Sequence, residues 1–141
     1  RIMLVYLAGP IDGVQRQEAL DWREEVSQRL NQAGISTFSP AHAFSVAYLS
    51  SSVPSSKAVA RAVTEINRYA ISQSSVVLAY LPKDRTTVGT IREIEYAVSI
   101  GKPVVVPVKH ANASFLSLYD TIQVFDWDEA VGAVIEAMPH I

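Results

Sequence analysis

The chain has 141 residues, of which 49% are hydrophobic and 18% charged, so we predict one domain with a single core over residues 1–141. The net charge of −2, without a long basic run, argues against nucleic-acid binding, and no apolar run reaches the roughly 18 residues that span a membrane. The absence of cysteine excludes disulfides and thiolate chemistry, and it fits the cytoplasmic location that we expect.

The first elements are a strand, a loop, a helix and a second strand. Residues 2–8 are all apolar, which is typical of a strand covered on both faces. A turn-rich loop follows over residues 9–13. Apolar residues then recur at spacings of three and four over residues 19–33, which predicts a helix that ends at Gly34. Residues 35–39 read as a short second strand.

The remaining chain continues the alternation of strand and helix. Residues 41–56 are aperiodic and predict a long loop with at most one helical turn. After this loop the sequence predicts a helix marked by apolar positions at 59–70, a strand at 75–81 and a helix from about 90 to 100. Two further strands are predicted at 104–108 and 123–125. A capping box at 126–129 then starts a last helix, which runs to about 138.

This order of elements predicts an α/β fold. We expect a doubly wound, flavodoxin- or Rossmann-like sheet of five parallel strands with helices on both faces. In such folds a ligand binds at the carboxyl ends of the strands. The loops that gather there after the first and third strands are residues 9–15 and 82–90. We therefore expect the functional site between these two loops.

Two glutamates, Glu93 and Glu95, follow the second of these loops. Residues two apart on a helix point about 200° away from each other, so the two carboxylates cannot share a site, and we expect Glu95 to be solvated. Glu93 has two interpretations. It completes a capping box with Thr90, or it is a carboxylate held ionised near a helix N-terminus that attacks an anomeric carbon. Spacing alone leaves both open.

Other polar residues give weaker signals. Gly9 and Gly13 fit a plain turn better than a dinucleotide motif. Gly89, with Thr87 before it, offers amides and a hydroxyl to a phosphate, although the threonine serves a helix cap equally well. The three histidines lack ligand spacing, so we expect no metal and no other cofactor. His42, in the long loop, is either a ligand contact or a surface residue.

Two stretches, "YLAGPIDG" after the first strand and "VGTIREIEYAVSIGKPV" after the third, resemble the nucleoside 2-deoxyribosyltransferase-like family. The resemblance covers about residues 3–125. It implies that Glu93 is a nucleophile that attacks C1′, expels the base and forms a covalent glycosyl-enzyme, with net retention. The family includes transferases that exchange bases between deoxynucleosides and hydrolases that cleave nucleoside 5′-monophosphates.

The resemblance also suggests which branch applies. Six residues before the glutamate, transferases carry an aspartate, whereas the nucleotide hydrolases carry a small hydroxyl residue, and this chain has Thr87. A hydroxyl can donate to a phosphate that a carboxylate would repel. We therefore expect hydrolysis of a nucleoside 5′-monophosphate to free base and (deoxy)ribose 5-phosphate. The alternatives are a base-exchanging transferase and, in a different class, a non-catalytic nucleotide-binding or sensing module.

The remaining site residues are implied by the same resemblance. Asn67 stands where the family usually has an aspartate that assists the departing base, and Asp12 stands where some hydrolases have arginine, a charge that Arg16 would supply. A neighbouring subunit would complete each site through Asn112 or Ser117, which implies a homodimer or larger assembly. The substrate contacts that the resemblance implies near the first strand are Tyr6, Gly9, Pro10, Ile11, Asp12 and Gly13. Neither the base nor the sugar is specified by these residues.

Overall fold

The structure is a computed structural model and describes residues 3–11, 14–43, 57–83, 88–111 and 120–138. Strands and helices alternate through these ranges. They are β1 Leu4–Ala8, α1 Arg16–Gln32, β2 Ser36–Phe38, α2 Pro40–Ala43, α3 Lys57–Gln73, β3 Val76–Ala79, α4 Val88–Ser99, β4 Val104–Pro107, a 3-10 turn Val108–His110, β5 Ile122–Val124 and α5 Trp127–Ala137. None of the described helices is long and apolar enough to cross a membrane.

The five strands form one parallel sheet in the order β2-β1-β3-β4-β5. This is the flavodoxin-like doubly wound order, in which the chain reverses its direction of winding between β1 and β3. Tyr6 of β1 lies in register with Val77 of β3. The predicted fold class is therefore confirmed, and the carboxyl ends of β1 and β3 are adjacent.

Each face of the sheet carries its own apolar cluster, because the strands alternate their side chains between two helical layers. On one face Tyr6, Ala8 and Val77 pack with residues of α3 and α4, among them Ile71 and Ile94. On the other face residues of α1 and α5 cover the sheet, and the members that share this cluster are Val5, Leu7, Val26, Leu30, Val76, Leu78, Val131 and Val134. The helices lie on both faces, as the sequence predicts.

Two helix ends follow the predicted chemistry. Gly34, directly after α1 and its C-cap residue, has a φ of +80°, a conformation that favours glycine. At the start of α5, the Asp126 side chain accepts a hydrogen bond of 3.0 Å from the amide of Glu129. The Glu129 carboxylate in turn accepts one of 2.8 Å from the amide of Phe125. Both bonds of the predicted capping box are present, except that the return bond comes from the amide one residue before the N-cap.

The loop predicted over residues 41–56 allows one helical turn, and its first three residues lie in the short helix α2, while residues 44–56 lie outside the described ranges. The predicted start of α4 needs correction. The helix that carries the glutamates begins at Val88, so Thr90 lies inside its first turn and does not cap it. The capping-box interpretation of Glu93 is therefore wrong. Gly89, expected before the helix, is its second residue and is exposed.

Candidate active site

Glu93 is tied to the first strand. The hydroxyl of Tyr6 donates a hydrogen bond to Oε2 of Glu93. Tyr6 points into the layer that α4 covers, and its ring stacks on Phe38 with the centroids 5.6 Å apart. Because Tyr6 is fully buried, its hydroxyl has little freedom to leave this position. Glu95, two residues further on, is exposed as expected.

The environment of Glu93 raises the pKa of its carboxyl from 4.5 to about 7. Burial is the main cause, because it penalises the charged form, and the Tyr6 hydrogen bond and the charge of Arg23 oppose it. The same burial, together with Glu93, raises the pKa of Tyr6, so that its hydroxyl stays protonated and donates. Glu93 itself keeps partial exposure. The carboxyl itself is thus removed from water, while the residue as a whole is not fully enclosed.

Arg23 of α1 is the site residue that the sequence analysis missed. It is fully buried, and its guanidinium donates to two backbone carbonyls, 2.7 Å to Ala19 and 2.8 Å to Gly9. A signal for this burial exists in the sequence. Arg23 follows Ala19 by four positions and precedes Val26 by three, so it occupies the apolar face of the helix.

The loop after β1 packs directly on α1. A Cβ atom added to Gly9 would lie 2.5 Å from Cζ2 of Trp22, so only glycine fits this approach. Pro10 is buried, and the side chain of Ile11 packs against an apolar cluster that includes Val14. The three described residues of this loop, out of the five predicted to border the substrate, are thus held by contacts of their own.

Asn67 lies on α3, which packs against α4. Its Oδ1 atom is shielded from water and has no hydrogen-bond partner among the described residues. A buried carbonyl oxygen without a partner is costly, and a bound ligand would satisfy it. Asn67 is therefore an available acceptor beside the helix that carries Glu93.

His42 is engaged elsewhere. Its ring nitrogens lie 2.5 Å from the hydroxyl of Ser39 and 3.1 Å from the carboxylate of Glu24. These three side chains line a shallow groove between α1 and the β2–α2 segment. The described contacts join His42 to this surface and not to Glu93, which agrees with the surface-residue alternative.

The remaining predicted site residues do not belong to the part of the chain that the structure describes. Asp12, Gly13, Thr87, Asn112 and Ser117 fall outside the described ranges, as does the side chain of Arg16. Their assignments stay predictions. Among the described residues, Tyr6, Gly9, Arg23 and Glu93 form a connected set that joins β1, α1 and α4.

The model of the nucleoside 2-deoxyribosyltransferase family matches residues 5–136 of this chain. The chain belongs to this family. It is accordingly an enzyme, either an N-glycosidase or a deoxyribosyltransferase. The match includes both Tyr6 and Glu93. A search of curated proteins gives no significant match.

Solved structures with the same fold include proteins of this family. A 2-deoxyribosyltransferase from Bacillus psychrosaccharolyticus is 20% identical with a TM-score of 0.71, covering 94% of this chain and 95% of its own. A conserved protein from Enterococcus faecalis V583 is 17% identical with a TM-score of 0.68, covering 96% and 99%. The CMP N-glycosidase BcmB from Clostridium botulinum is 13% identical with a TM-score of 0.54, covering 98% and 99%. At these identities the similarity shows the fold.

Proposed function

We propose that this nucleoside 2-deoxyribosyltransferase family member hydrolyses the N-glycosidic bond of a nucleoside 5′-monophosphate, with Glu93 as the nucleophile. The observation that carries the proposal is the hydrogen bond from Tyr6 to Glu93 Oε2. It orients the buried carboxyl of a residue that is not fully enclosed, near the carboxyl end of β1, where doubly wound folds bind ligands. A residue that only finished a helix end would not need this partner.

The proposed reaction has two steps. In the first, Oε1 of Glu93 forms a bond to C1′ while the bond from C1′ to the base nitrogen breaks, and its electron pair leaves with the base. In the second, water attacks C1′ and the carboxylate departs. Two displacements at the same carbon give net retention. Tyr6 holds Oε2 throughout, which leaves Oε1 to react.

The departing base needs a proton. Asn67 stands at the position where the family usually carries an aspartate, and an amide does not exchange protons at neutral pH. Its unpartnered Oδ1 can accept a hydrogen bond from a sugar hydroxyl instead. We therefore assign to Asn67 the holding of the sugar, and we assign protonation of the base to water.

The phosphate preference depends on Thr87. A threonine hydroxyl donates to a phosphate oxygen, whereas an aspartate there would repel a dianion. The start of α4 adds the backbone N–H groups of a first helical turn and the positive end of a helix dipole. The 5′-phosphate is thus the substrate group that this end of the site accommodates best, and Arg16 is the side chain that we expect to add positive charge.

The direct test is a panel of ribo- and 2′-deoxynucleoside 5′-monophosphates, with free base and sugar phosphate measured by chromatography. We expect release from at least one of them. Glu93→Gln should lower the rate by about a thousandfold or more, since it removes the nucleophile. The matched control is Glu95→Gln, an exposed glutamate on the same helix, which should retain the wild-type rate. A wild-type protein that releases no base from any nucleotide overturns the proposal.

The second candidate is a base-exchanging deoxyribosyltransferase. The same glutamate would serve it, because a second base can replace water in resolving the glycosyl-enzyme. The distinguishing experiment supplies unphosphorylated deoxynucleosides together with a labelled free base. Incorporation of label into nucleoside identifies the transferase. In a hydrolase, Thr87→Asp should move the preference from nucleotides toward nucleosides.

The third alternative, a non-catalytic nucleotide-binding or sensing module, differs in class. It predicts that wild type and Glu93→Ala both bind nucleotide, measured by calorimetry, and that neither releases base. Turnover by the wild type excludes it.

A further inference from the structure

Arg23 is a fully buried charge that the reaction just described does not use. A guanidinium removed from water is costly unless hydrogen bonds or an opposite charge compensate it. Its two described hydrogen bonds go to neutral carbonyls, those of Ala19 and Gly9, and its Nε is buried without a partner among the described residues. Its guanidinium also lies over the Trp22 ring, with Cζ 4.7 Å from the centroid. Neither the carbonyls nor the ring carries a full negative charge.

The opposite charge is Glu93. Although α1 and α4 cover opposite faces of the sheet, both side chains are tied to the β1 segment. Arg23 bonds to the carbonyl of Gly9 directly after β1, and Tyr6 of β1 bonds to Glu93. The charge of Arg23 lowers the pKa of Glu93 against the effect of burial, and Glu93 acts reciprocally on Arg23, whose pKa burial lowers to about 10. Arg23 thus remains positively charged at neutral pH.

The other groups around Glu93 do not supply this charge. From β1 the facing group is Tyr6, which stays neutral. The described charged side chains of α3, namely Arg61, Glu65 and Arg68, are exposed, and so are Arg92 and Glu95 on α4 itself. Among the described residues, Arg23 is therefore the buried positive charge that acts on this carboxylate.

Arg23 also holds the loop that borders the site. Its Nη2 bonds to the carbonyl of Gly9, and a Cβ on Gly9 would lie 3.4 Å from the same atom. The loop backbone and the guanidinium are thus in direct contact. A change at Arg23 must be transmitted to Gly9.

We propose that Arg23 is a positioning residue for the reaction, which ties the Gly9 carbonyl to α1 and supplies the buried positive charge that Glu93 requires as a nucleophile. The proposal rests on the proposed function of Glu93. It assigns Arg23 two separable tasks. One is electrostatic and acts on Glu93, and the other is geometric and acts on the substrate loop.

Two variants separate these tasks. Arg23→Gln keeps an N–H donor for a carbonyl but removes the charge, so the acid limb of the pH–kcat/KM profile should move upward by about one pH unit. Arg23→Lys keeps the charge but replaces the planar fork by a single ammonium group, so the acid limb should stay while KM rises by about threefold or more. Arg29→Gln is the control. Arg29 also lies on α1 but forms a salt bridge of 3.0 Å with Asp128 of α5. Neither the acid limb nor KM should change in Arg29→Gln.

A readout without turnover keeps the inference separate from the proposed function. The titration of the Glu93 carboxyl is followed by carbon NMR in wild type and Arg23→Gln, and assigned by its loss in Glu93→Gln. The apparent pKa should rise in Arg23→Gln even if no nucleotide is cleaved. Should Arg23→Gln fail to fold, Arg23→Lys decides. An unchanged Glu93 titration in Arg23→Gln, or a wild-type KM in Arg23→Lys, overturns the proposal.

Discussion

Tyr6 and Glu93 are 87 positions apart in the sequence, and the hydroxyl of the first donates a hydrogen bond to the carboxylate of the second. One residue belongs to the buried strand β1 and the other to the second turn of α4. The bond joins a strand buried in the sheet to a carboxyl that burial on α4 has removed from water.

The Tyr6→Phe variant removes the hydrogen bond and keeps the ring that stacks on Phe38. Because that bond lowers the pKa of Glu93, its loss should raise the pKa further above 7 and reduce kcat/KM at pH 7 by about tenfold. The measurement is kcat/KM against pH. Tyr69→Phe, at an exposed position on α3, is the control and should behave as wild type. An unchanged profile in Tyr6→Phe would remove the orienting role of this bond.

The wild-type enzyme should show an acid limb near pH 7. If Glu93 is the nucleophile, as proposed, it must be ionised, and because its pKa is raised to about 7, kcat/KM should increase with pH through this range and then level off. A pH–rate profile in buffers of constant ionic strength measures it. An acid limb near 4.5, the ordinary value for a glutamate, would contradict the burial of this carboxyl.

The stability of the protein should depend on pH through the same group. The folded state binds a proton at Glu93 up to about pH 7, whereas the unfolded chain releases it near 4.5, so the free energy of unfolding should fall as pH rises between these values. The difference between the folded and unfolded pKa values corresponds to about 3 kcal/mol. Because Glu93 is not fully enclosed, we expect the free energy of unfolding to fall by about 1–3 kcal/mol over this pH range.

Glu93→Gln should therefore stabilise the protein near pH 8 and change little near pH 4, because glutamine resembles the protonated carboxyl. Urea unfolding at the two pH values measures this. Glu95→Gln, at an exposed position, should stay within about 0.5 kcal/mol of wild type at both. Equal stability of Glu93→Gln and wild type at pH 8 would show that ionisation of this carboxyl carries no cost in the folded state.

Gly9→Ala tests the packing of the loop on α1. The added Cβ would meet Cζ2 of Trp22 at 2.5 Å, so either the indole or the loop must move. We expect a loss of about 1–3 kcal/mol in unfolding free energy together with reduced activity, since the Gly9 carbonyl that Arg23 binds would shift as well.

The control for this prediction is Gly132→Ala. Gly132 lies inside α5, and a Cβ there meets nothing within 4 Å. Alanine is the better helix former, so this variant should gain about 0.5–1 kcal/mol. Thermal or urea unfolding of both variants measures the contrast. A Gly9→Ala protein as stable and active as wild type would mean that the loop is not held in this position.

The order of elements was predictable from the sequence because it depends on local patterns. The apolar run before Gly9 predicts a strand covered on both faces, and the apolar spacing from Ala19 predicts α1. Gly34 and Asp126 mark helix ends through their own backbone and side-chain chemistry. Parallel strands with helical crossovers then bring the loops after β1 and β3 to one edge, which is where the sequence predicts the site.

The sequence by itself thus determined the fold class, the family and the identity of Glu93 as the carboxylate of interest. Only the tertiary structure decided its environment: that α4 starts before Thr90, that His42 faces Glu24, and that Glu93 is held by Tyr6 and lies in the field of Arg23. The physical reason is that periodicity and capping act within a few residues, whereas burial of a charge depends on which distant elements pack around it. An arginine on an apolar helix face has no evident partner until the sheet brings β1, α1 and α4 to the same edge.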